Sequence, residues 1–354
     1  MKRILCAIMC VLLATSTATM FTGCGAEAKE EINVFNWGEY ISNGEDDTLD
    51  TIAEFEKRYN VNVNYTNYES NEEMYNMLKD SNSSYDVIIP SDYMISKLIE
   101  EDMLEKINFE NIPNVSNLME KYKKTDFDPT GEYSVAYSWG VVALAYNKTM
   151  VDKKPTSFDC LWDEKYSGNI LMFNNSRDAM AIAMKLKGIT PTTVTKENID
   201  VASAYLTEQK PILKKYVMDQ VFTEMEGDQA ALAPYYAGDI AAMMSNNENI
   251  DYVLPEEGSN LFIDSMCIPK TTQNKELAEK FINYMLEPEV AKANSEYIGY
   301  STPNQAAYDL LDEDMKNNEL VYPSDEYLAK CYTFANLPQD VYDYMQNEFL
   351  KVQS

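Results

Sequence analysis

The feature that most constrains the fold is the alternation of short apolar segments with amphipathic segments in the first third of the chain. Three apolar segments predict strands: residues 32–35, 61–65 and 86–90. Three further segments predict helices: residues 47–59, a segment opened by a capping box at residues 70–73, and residues 91–101. Such alternation is typical of βαβ units, in which helices cover a sheet. The sequence therefore predicts an α/β fold.

The middle of the chain contains an extended passage that we expect to link two domains. Residues 133–146 predict two consecutive extended segments, broken at Trp139 and Gly140, with no helix between them. Residues 262–268 are the candidate return passage. A length of 354 residues favours two domains over one core. The other predicted elements are strands 168–173, 240–244 and 252–254, a helix after Arg177, and helices 202–215, 228–237, 275–286 and 340–351.

The N-terminus has the composition of a bacterial targeting segment. Two basic residues precede an apolar run at residues 4–14, which is well short of the ~20 residues that span a bilayer. The sequence Phe-Thr-Gly-Cys ending at Cys24 resembles a lipobox, which implies cleavage before Cys24 and a lipid on its sulfur. We therefore expect a signal peptide at residues 1–23 and a tether at residues 24–30. The alternative is an ordinary secretory signal with an incidental cysteine.

Histidine is absent from the sequence. Its absence excludes Ser-His-Asp and Cys-His catalysis and every His-ligated metal site. The cysteines that follow Cys24 are widely spaced: Cys160, Cys267 and Cys331. Their odd number and wide spacing favour neither a disulfide framework nor a zinc site. We expect no cofactor and no metal.

The chain is strongly acidic. Its formal net charge is −29, and removing the two basic residues of the signal segment makes it −31. Such a field repels nucleic acid and favours the approach of cations. Most of this charge is expected on the solvated surface, where it maintains solubility. The acidity therefore permits a cationic ligand without proving one.

Acidic and aromatic side chains follow several of the predicted strands. The turn after the first strand carries Trp37, Glu39 and Tyr40. Others follow later strands or lie in the return passage: Tyr93, Asp178, Asp264 and Tyr300. Ligands of open α/β sheets bind at the carboxyl ends of strands, and carboxylates with aromatic faces suit an organic cation. The sequence therefore predicts a cleft for a cation between two lobes; for the first turn alone, the alternative is packing against a neighbouring loop.

The chain resembles the spermidine/putrescine-binding proteins of bacterial polyamine ABC importers, which have a type II periplasmic-binding-protein fold. The matching passages occur in order over about residues 31–335: NVFNWGEYI, NYESNEEMY, YDVIIPSDY, EYSVAYSWGVVALAYN, LWDEKYSGNILM, IDSMCIP and YIGYSTPNQAA. The resemblance implies an α/β fold of two lobes, each a mixed sheet flanked by helices, joined by crossover hinge segments. The first lobe would comprise residues 31–140 and 264–303, and the second residues 141–263 and 304–354. Ligand binding would close the lobes.

The resemblance also implies the residues of the ligand site: Trp37, Glu39, Tyr40, Tyr93, Asp178, Asp264 and Tyr300. Asp264 would meet one amine, Glu39 or Asp178 would meet another, and Trp37, Tyr93 and Tyr300 would line the methylene chain. The sequence departs from the family pattern at four aligned positions: Asn175 replaces an acid, Ser245 and Phe262 replace tryptophans, and Phe334 aligns loosely with a glutamine. These departures favour a cationic amine in general over spermidine in particular.

We therefore expect a receptor, not an enzyme, that captures a polyamine and delivers it to an ABC permease in the cytoplasmic membrane. It would be a monomer anchored outside that membrane by a lipid on Cys24, with no nucleic-acid partner. A second hypothesis is the same type of receptor for a different amine. A third, from another class, is a cell-surface hydrolase with paired carboxylates, for which the sequence contains no motif.

Overall fold

The computed structural model describes residues 29–80 and 84–354, and Glu31–Ser354 form one compact unit. Its strands are β1 (Glu31–Trp37), β2 (Asn62–Tyr68), β3 (Val87–Ile88), β4 (Ser134–Asn147), β5 (Ile170–Phe173), β6 (Leu213–Val217), β7 (Leu232–Tyr236), β8 (Ile250–Val253) and β9 (Leu261–Cys267). They form a mixed sheet in the order β2-β1-β3-β9-β4-β7-β5-β6, with β8 paired to β4. The pairs β1–β2, β1–β3, β5–β6 and β5–β7 are parallel.

The α-helices alternate with these strands and then close the chain. They are α1 (Thr51–Tyr59), α2 (Asn71–Lys79), α3 (Asp92–Glu100), α4 (Ser176–Leu186), α5 (Lys196–Gln209), α6 (Gln220–Glu226), α7 (Ala237–Asn246), α8 (Lys275–Met285), α9 (Pro288–Ile298), α10 (Gln305–Leu310), α11 (Glu313–Lys316), α12 (Asp325–Leu328) and α13 (Gln339–Gln353). Short 3-10 helices occur at Glu45–Asp47, Phe109–Asn111, Pro113–Asn117, Glu120–Tyr122, Phe158–Trp162, Glu164–Tyr166 and Lys210–Ile212.

The start of α2 shows a modified form of the predicted capping box. The Ser70 side chain accepts a hydrogen bond from the Glu73 amide, as expected for an N-cap serine. The Glu73 carboxylate, however, accepts from the Glu69 amide at 2.8 Å, one residue before the amide that the usual box employs. Ser91 occupies the N-cap position of α3, but its side chain makes no capping bond.

Strand β4 joins the two halves of the sheet. Its residues 134–141 pair with β9, and residues 142–147 pair with β7 and β8, in every case antiparallel. The sequence predicts a break at Trp139 and Gly140, but the strand is continuous and only its register shifts, between Ala136 and Ser138. Every residue of β4 after Ser134 is buried. Burial on both faces explains why most residues of this strand are apolar.

The three largest hydrophobic cores surround the sheet. The C-terminal half of β4 packs with β5–β8, α4–α7 and α13. A second core packs β1, the N-terminal half of β4 and β9 with α1, α8 and α9. A third packs β1–β3 with α2 and α3. The strand pairing and the cores thus divide near the middle of β4.

Two predicted elements in the second half of the chain are wrong. The sequence predicts a helix at residues 228–237 and a strand at 240–244, but the structure has β7 followed by α7. Pro234 explains the first difference, because a proline inside a helix removes a backbone hydrogen bond and clashes with the preceding turn. The predicted helix 202–215 likewise ends before Pro211, and the chain continues into β6.

The described residues 29–80 and 84–354 include no helix that is long and apolar enough to span a membrane. The predicted signal peptide, its cleavage site and the lipid-bearing Cys24 lie outside the described residues.

Asp128 holds the turn that leads into β4. Its Oδ1 accepts hydrogen bonds from the Thr130 hydroxyl and the Gly131 amide, both at 3.0 Å. Its Oδ2 accepts from the Tyr133 amide at 2.9 Å and from the Ser134 amide at 3.0 Å. One buried carboxylate therefore satisfies several backbone donors of this turn.

We expect Asp128→Ala to lower the free energy of unfolding by about 3 kcal/mol, because each buried donor left without an acceptor costs about 1–3 kcal/mol. Urea unfolding of the chain from Gly25 onward measures the loss. Asp126→Ala, at an exposed position of the same turn, should change the free energy of unfolding by less than about 0.5 kcal/mol. Equal losses for the two variants would contradict this role of Asp128.

Candidate functional site

Seven acidic side chains are buried among the described residues: Asp86, Asp92, Asp128, Asp178, Glu224, Asp264 and Glu279. In Asp86, Asp128 and Glu279, both carboxylate oxygens accept hydrogen bonds from the chain. Glu224 forms ion pairs with two lysines. The other three each bury one oxygen that has no hydrogen-bond partner in the described structure: Asp92, Asp178 and Asp264. Because buried acceptors are normally bonded, these three carboxyls are candidate acceptors for donors of a ligand.

Asp264 lies on β9, beside the turn that connects β3 to α3. Ser91 forms an isolated backbone bridge with Asp264. The Oδ2 of Asp264 accepts a hydrogen bond from the Tyr40 hydroxyl at 2.7 Å. Burial raises the pKa of Asp264 to about 6, although the neighbouring Ser91 and Tyr40 side chains act in the opposite direction. The first strand and the return passage therefore meet at this carboxylate, as the sequence predicts for Tyr40 and Asp264.

Asp178 lies in the first turn of α4, which follows β5. The N-cap residue Asn175 accepts from the Asp178 amide at 3.1 Å and donates to Asp178 Oδ2 at 2.5 Å. The Tyr236 hydroxyl donates to the same oxygen at 2.9 Å. Burial raises the pKa of Asp178 to about 6, and the bonds from Tyr236 and Asn175 oppose this rise. Asn175 thus orients Asp178 instead of adding a charge.

Four aromatic side chains connect these two acids: Tyr40, Tyr300, Phe262 and Tyr236. Successive ring centroids are 5.5, 5.9 and 5.5 Å apart, each in an edge-on arrangement. This set, called the aromatic row below, begins at the ring bonded to Asp264 and ends at the ring bonded to Asp178. Edge-on rings at these spacings attract one another. The structure therefore places two carboxylates at the two ends of a largely buried row of aromatic rings.

Two glycines allow the aromatic row to approach the backbone. A Cβ atom on Gly140 would lie 2.8 Å from Phe262, and one on Gly238 would overlap the Tyr300 ring. The Tyr300 hydroxyl donates at 3.1 Å to Asp239, the residue that follows Gly238. Burial raises the pKa of Asp239 to about 7. Strand β4 and helix α7 therefore both fix the position of Tyr300.

Arg177 is the only basic side chain that is buried among the described residues. Its guanidinium carbon lies 3.8 Å from the centroid of the Tyr93 ring, and its Nη1 donates to the Ala335 carbonyl at 3.1 Å. The Tyr93 hydroxyl donates to Glu72 at 3.2 Å. Tyr93 therefore faces a cation that belongs to the chain itself.

The remaining predicted residues do not join the aromatic row. Trp37 is half-buried, donates from Nε1 to the Ile89 carbonyl at 2.9 Å and packs on Tyr68. Glu39 is exposed, in a left-handed backbone conformation with φ of 50°. Ser245 is exposed on α7 and donates to a carbonyl of its own helix. Phe334 contacts Tyr93 edge-on at 6.2 Å.

Three residues of this site are absent from the sequence-based prediction: Asp92, Tyr236 and Asp239. Asp92 lies between Ser91 and Tyr93, at the start of the helix that follows β3, so its position after a strand could have indicated a site residue. Tyr236 ends β7 and Asp239 begins α7, in the region where strand and helix are predicted in the wrong places. Correct placement of Pro234 in a strand would have put Tyr236 at a strand end.

The described residues give little evidence of a metal-binding site. In residues 29–80 and 84–354, no group of three or more His, Cys, Asp or Glu side chains is placed to hold a metal ion. Cys160, Cys267 and Cys331 are free thiols. The donor set of the site therefore consists of carboxyl, hydroxyl and amide groups.

The chain is similar to known bacterial proteins over most of its length. Residues 50–323 match the profile of the family described as "Bacterial extracellular solute-binding protein". The chain is 33% identical to the spermidine/putrescine-binding periplasmic protein of Escherichia coli (strain K12) over 318 residues, which cover 89% of this chain and 90% of that protein.

Solved structures show the same fold. The spermidine/putrescine ABC transporter substrate-binding protein PotD of Streptococcus pneumoniae superposes with a TM-score of 0.80 at 32% identity, covering 92% of this chain and 99% of that one. The Tp0655 (TpPotD) lipoprotein of Treponema pallidum gives a TM-score of 0.80 at 26% identity, with the same coverage of both chains. The predicted two-lobed α/β fold is thereby confirmed.

We expect the stability of ligand-free Asp264→Asn to depend less on pH than that of the wild type between about pH 4 and pH 6. Folding raises the pKa of Asp264 from 3.8 to about 6, so the folded state holds a proton that the unfolded state releases. This stabilisation is complete below the unfolded-state pKa of 3.8 and is lost as the pH rises through the folded-state pKa of about 6. Thermal melts across the range measure the difference; a profile parallel to that of the wild type would refute it. Asp126→Asn, which is exposed, is the control.

Proposed function

The chain belongs to the bacterial extracellular solute-binding proteins, and we propose that it binds a polyamine at Asp178 and Asp264 and delivers it to an ABC importer. The observation that carries this proposal is that each of these acids buries a carboxylate oxygen with no donor from the described chain. A buried charge without a partner is costly, and ammonium groups supply both the opposite charge and the missing hydrogen bonds. Relatives named for spermidine and putrescine binding support this ligand class.

The aromatic row gives the reason for a ligand with methylenes between its amines. It runs from the ring bonded to Asp264 to the ring bonded to Asp178. An alkyl chain laid along it would bury apolar surface at about 25 cal/mol per Å². Each ammonium that lies close to a ring face gains about 0.5–2 kcal/mol of further binding free energy. A single amine would satisfy only one end of the row.

We assign the predicted site residues to different parts of this complex. Asp178 and Asp264 would hold ammonium groups, with Asn175 orienting Asp178. Tyr40, Phe262 and Tyr300 would contact the alkyl chain. The other predicted residues would act at the edge of the site or through neighbours: Trp37, Glu39, Tyr93 and Ser245.

The site would lie between two lobes. We propose that the first lobe comprises residues 31–140 and 264–303 and the second residues 141–263 and 304–354. Separate hydrophobic cores and the change of partner strands along β4 support this division. With these boundaries, the aromatic row takes rings from both lobes. A ligand bound along the row would therefore favour the closed arrangement of the lobes.

The receptor would act outside the cytoplasm, where its family functions. We propose a lipid anchor on Cys24, supported by the lipobox-like sequence and by a structural relative described as a lipoprotein. Membership of a solute-binding family favours a receptor over a carboxylate-based hydrolase. A monomer suffices, because both acids and every ring of the row belong to one chain.

The first test is a thermal-shift and calorimetry screen of the chain from Gly25 onward. The ligands are putrescine, cadaverine, spermidine, spermine and a neutral diol of matched length. An amine at 100 times its dissociation constant should add about 2.7 kcal/mol to the folded state, whereas the diol should add nothing. If no amine raises the melting temperature, the polyamine proposal fails, and the departures at Asn175 and Ser245 would indicate another solute.

The second test is the affinity of Asp264→Ala. Loss of a hydrogen bond to a charged group costs about 1.5–3 kcal/mol, so we expect amine binding to weaken by at least about 10-fold. The melting temperature without ligand should change little, because removal of a buried, incompletely bonded acid offsets the loss of the acceptor of the Tyr40 hydroxyl. Asp126→Ala is the exposed control. An unchanged amine affinity of Asp264→Ala would contradict the assigned site.

A further inference from the structure

We infer that Asp92 is a ligand-binding carboxylate that shares one ammonium group with Asp264, and that the site is matched to a molecule with two ammonium groups. This inference rests on the proposed amine-binding function and specifies its ligand. It adds to the site a residue that the family resemblance did not indicate. The evidence comes from the burial of Asp92, from its neighbours and from the balance of charge.

The burial of Asp92 is nearly complete, and its hydrogen bonding is incomplete. The side chain is 1% exposed. Its Oδ1 accepts from the Tyr93 amide at 2.6 Å, whereas Oδ2 has no hydrogen-bond partner in the described structure. Asp86, on the preceding side of β3, is equally buried, but its two oxygens accept from the Asn33 amide and the Thr272 hydroxyl. Asp86 is therefore structural, while Asp92 keeps one oxygen for a donor from outside the chain.

Asp92 and Asp264 are neighbours across two elements. The backbone bridge between Ser91 and Asp264, and the hydrogen bond from the Ser265 amide to the Pro90 carbonyl at 3.1 Å, hold the turn before α3 against β9. Each of the two acids has an oxygen without a donor. A primary ammonium has three N–H groups directed apart, so one ammonium can donate to both acids.

The groups that face Asp92 explain why it needs such a cation. Burial, with the negative charge of Asp264 as a smaller cause, raises its pKa to about 8. The amides of Tyr93 and Ile263 and the guanidinium of Arg177 lower it. The site without ligand therefore holds a proton near Asp92 at neutral pH. An arriving ammonium would replace that proton, because it supplies charge and hydrogen bonds together.

The balance of buried charge selects the number of ammonium groups. Asp92, Asp178 and Asp264 together carry three negative charges when ionised, and Arg177 is the one buried cation of the described chain. Their sum is −2, which a diammonium neutralises. A third ammonium would leave a buried positive charge without a partner, since Asn175 is neutral. Asp239 and Glu72 do not enter this sum, because both are partly exposed and water can solvate their charge.

The experiment is calorimetric titration of putrescine and spermidine into the wild type, Asp92→Asn and Asp86→Asn, each from Gly25 onward. For the wild type we expect putrescine to bind more tightly than spermidine. Asp92→Asn should weaken putrescine binding by about 10- to 100-fold, as loss of a charged hydrogen bond implies, and should keep its melting temperature. Asp86→Asn should melt at a lower temperature and keep its putrescine affinity, because its bonds are structural.

A second measurement needs no variant. Titration of the wild type with putrescine in two buffers of different ionisation enthalpy gives the number of protons released on binding. We expect release near neutral pH, and less of it for Asp92→Asn. Absence of proton release, or equal putrescine affinity of Asp92→Asn and the wild type, would overturn the role of Asp92. Tighter binding of spermidine than putrescine would overturn the match to two ammonium groups. If the wild type binds no amine, the proposed function itself fails.

Discussion

The site depends on one physical constraint: a carboxylate removed from water needs donors. The chain satisfies this need completely at Asp86 and Asp128, which therefore fix turns and strand ends. It satisfies the need only in part at Asp178 and Asp264. The same chemistry thus fixes the chain in one place and leaves an acceptor open in another, and the difference is the number of donors that the fold supplies.

Strand β4 determines where this constraint acts. It pairs with β9 along one half and with β7 and β8 along the other, so it belongs to both halves of the sheet. The two acids come from opposite halves, because Asp264 lies on β9 and Asp178 lies on the helix after β5. Since the aromatic row connects these acids, a ligand that contacts both of them would also contact both halves of the sheet.

Much of this arrangement could be predicted from local patterns. The alternation of strands and helices, and the position of Tyr40 after the end of the first strand, follow from the apolar period and from the general location of ligands in α/β folds. Residues 228–246 could not be placed in this way, because the apolar run before Pro234 fits a helix and a strand equally well. Its strand pairing with β4 decides the outcome, and that pairing joins residues far apart in sequence. Tyr236 and Asp239 were missed for this reason.

The contact between Gly238 and the Tyr300 ring has a consequence for how such a receptor can evolve. Any side chain at this position would displace a ring that stands in the middle of the aromatic row. A change of solute would therefore exchange one ring of the row for another, as at Phe262, where the family resemblance implies a tryptophan, or alter the charges at its ends, as at Asn175, where it implies an acid. Drift in ligand preference would accordingly change the number and spacing of charges while rings persist between them.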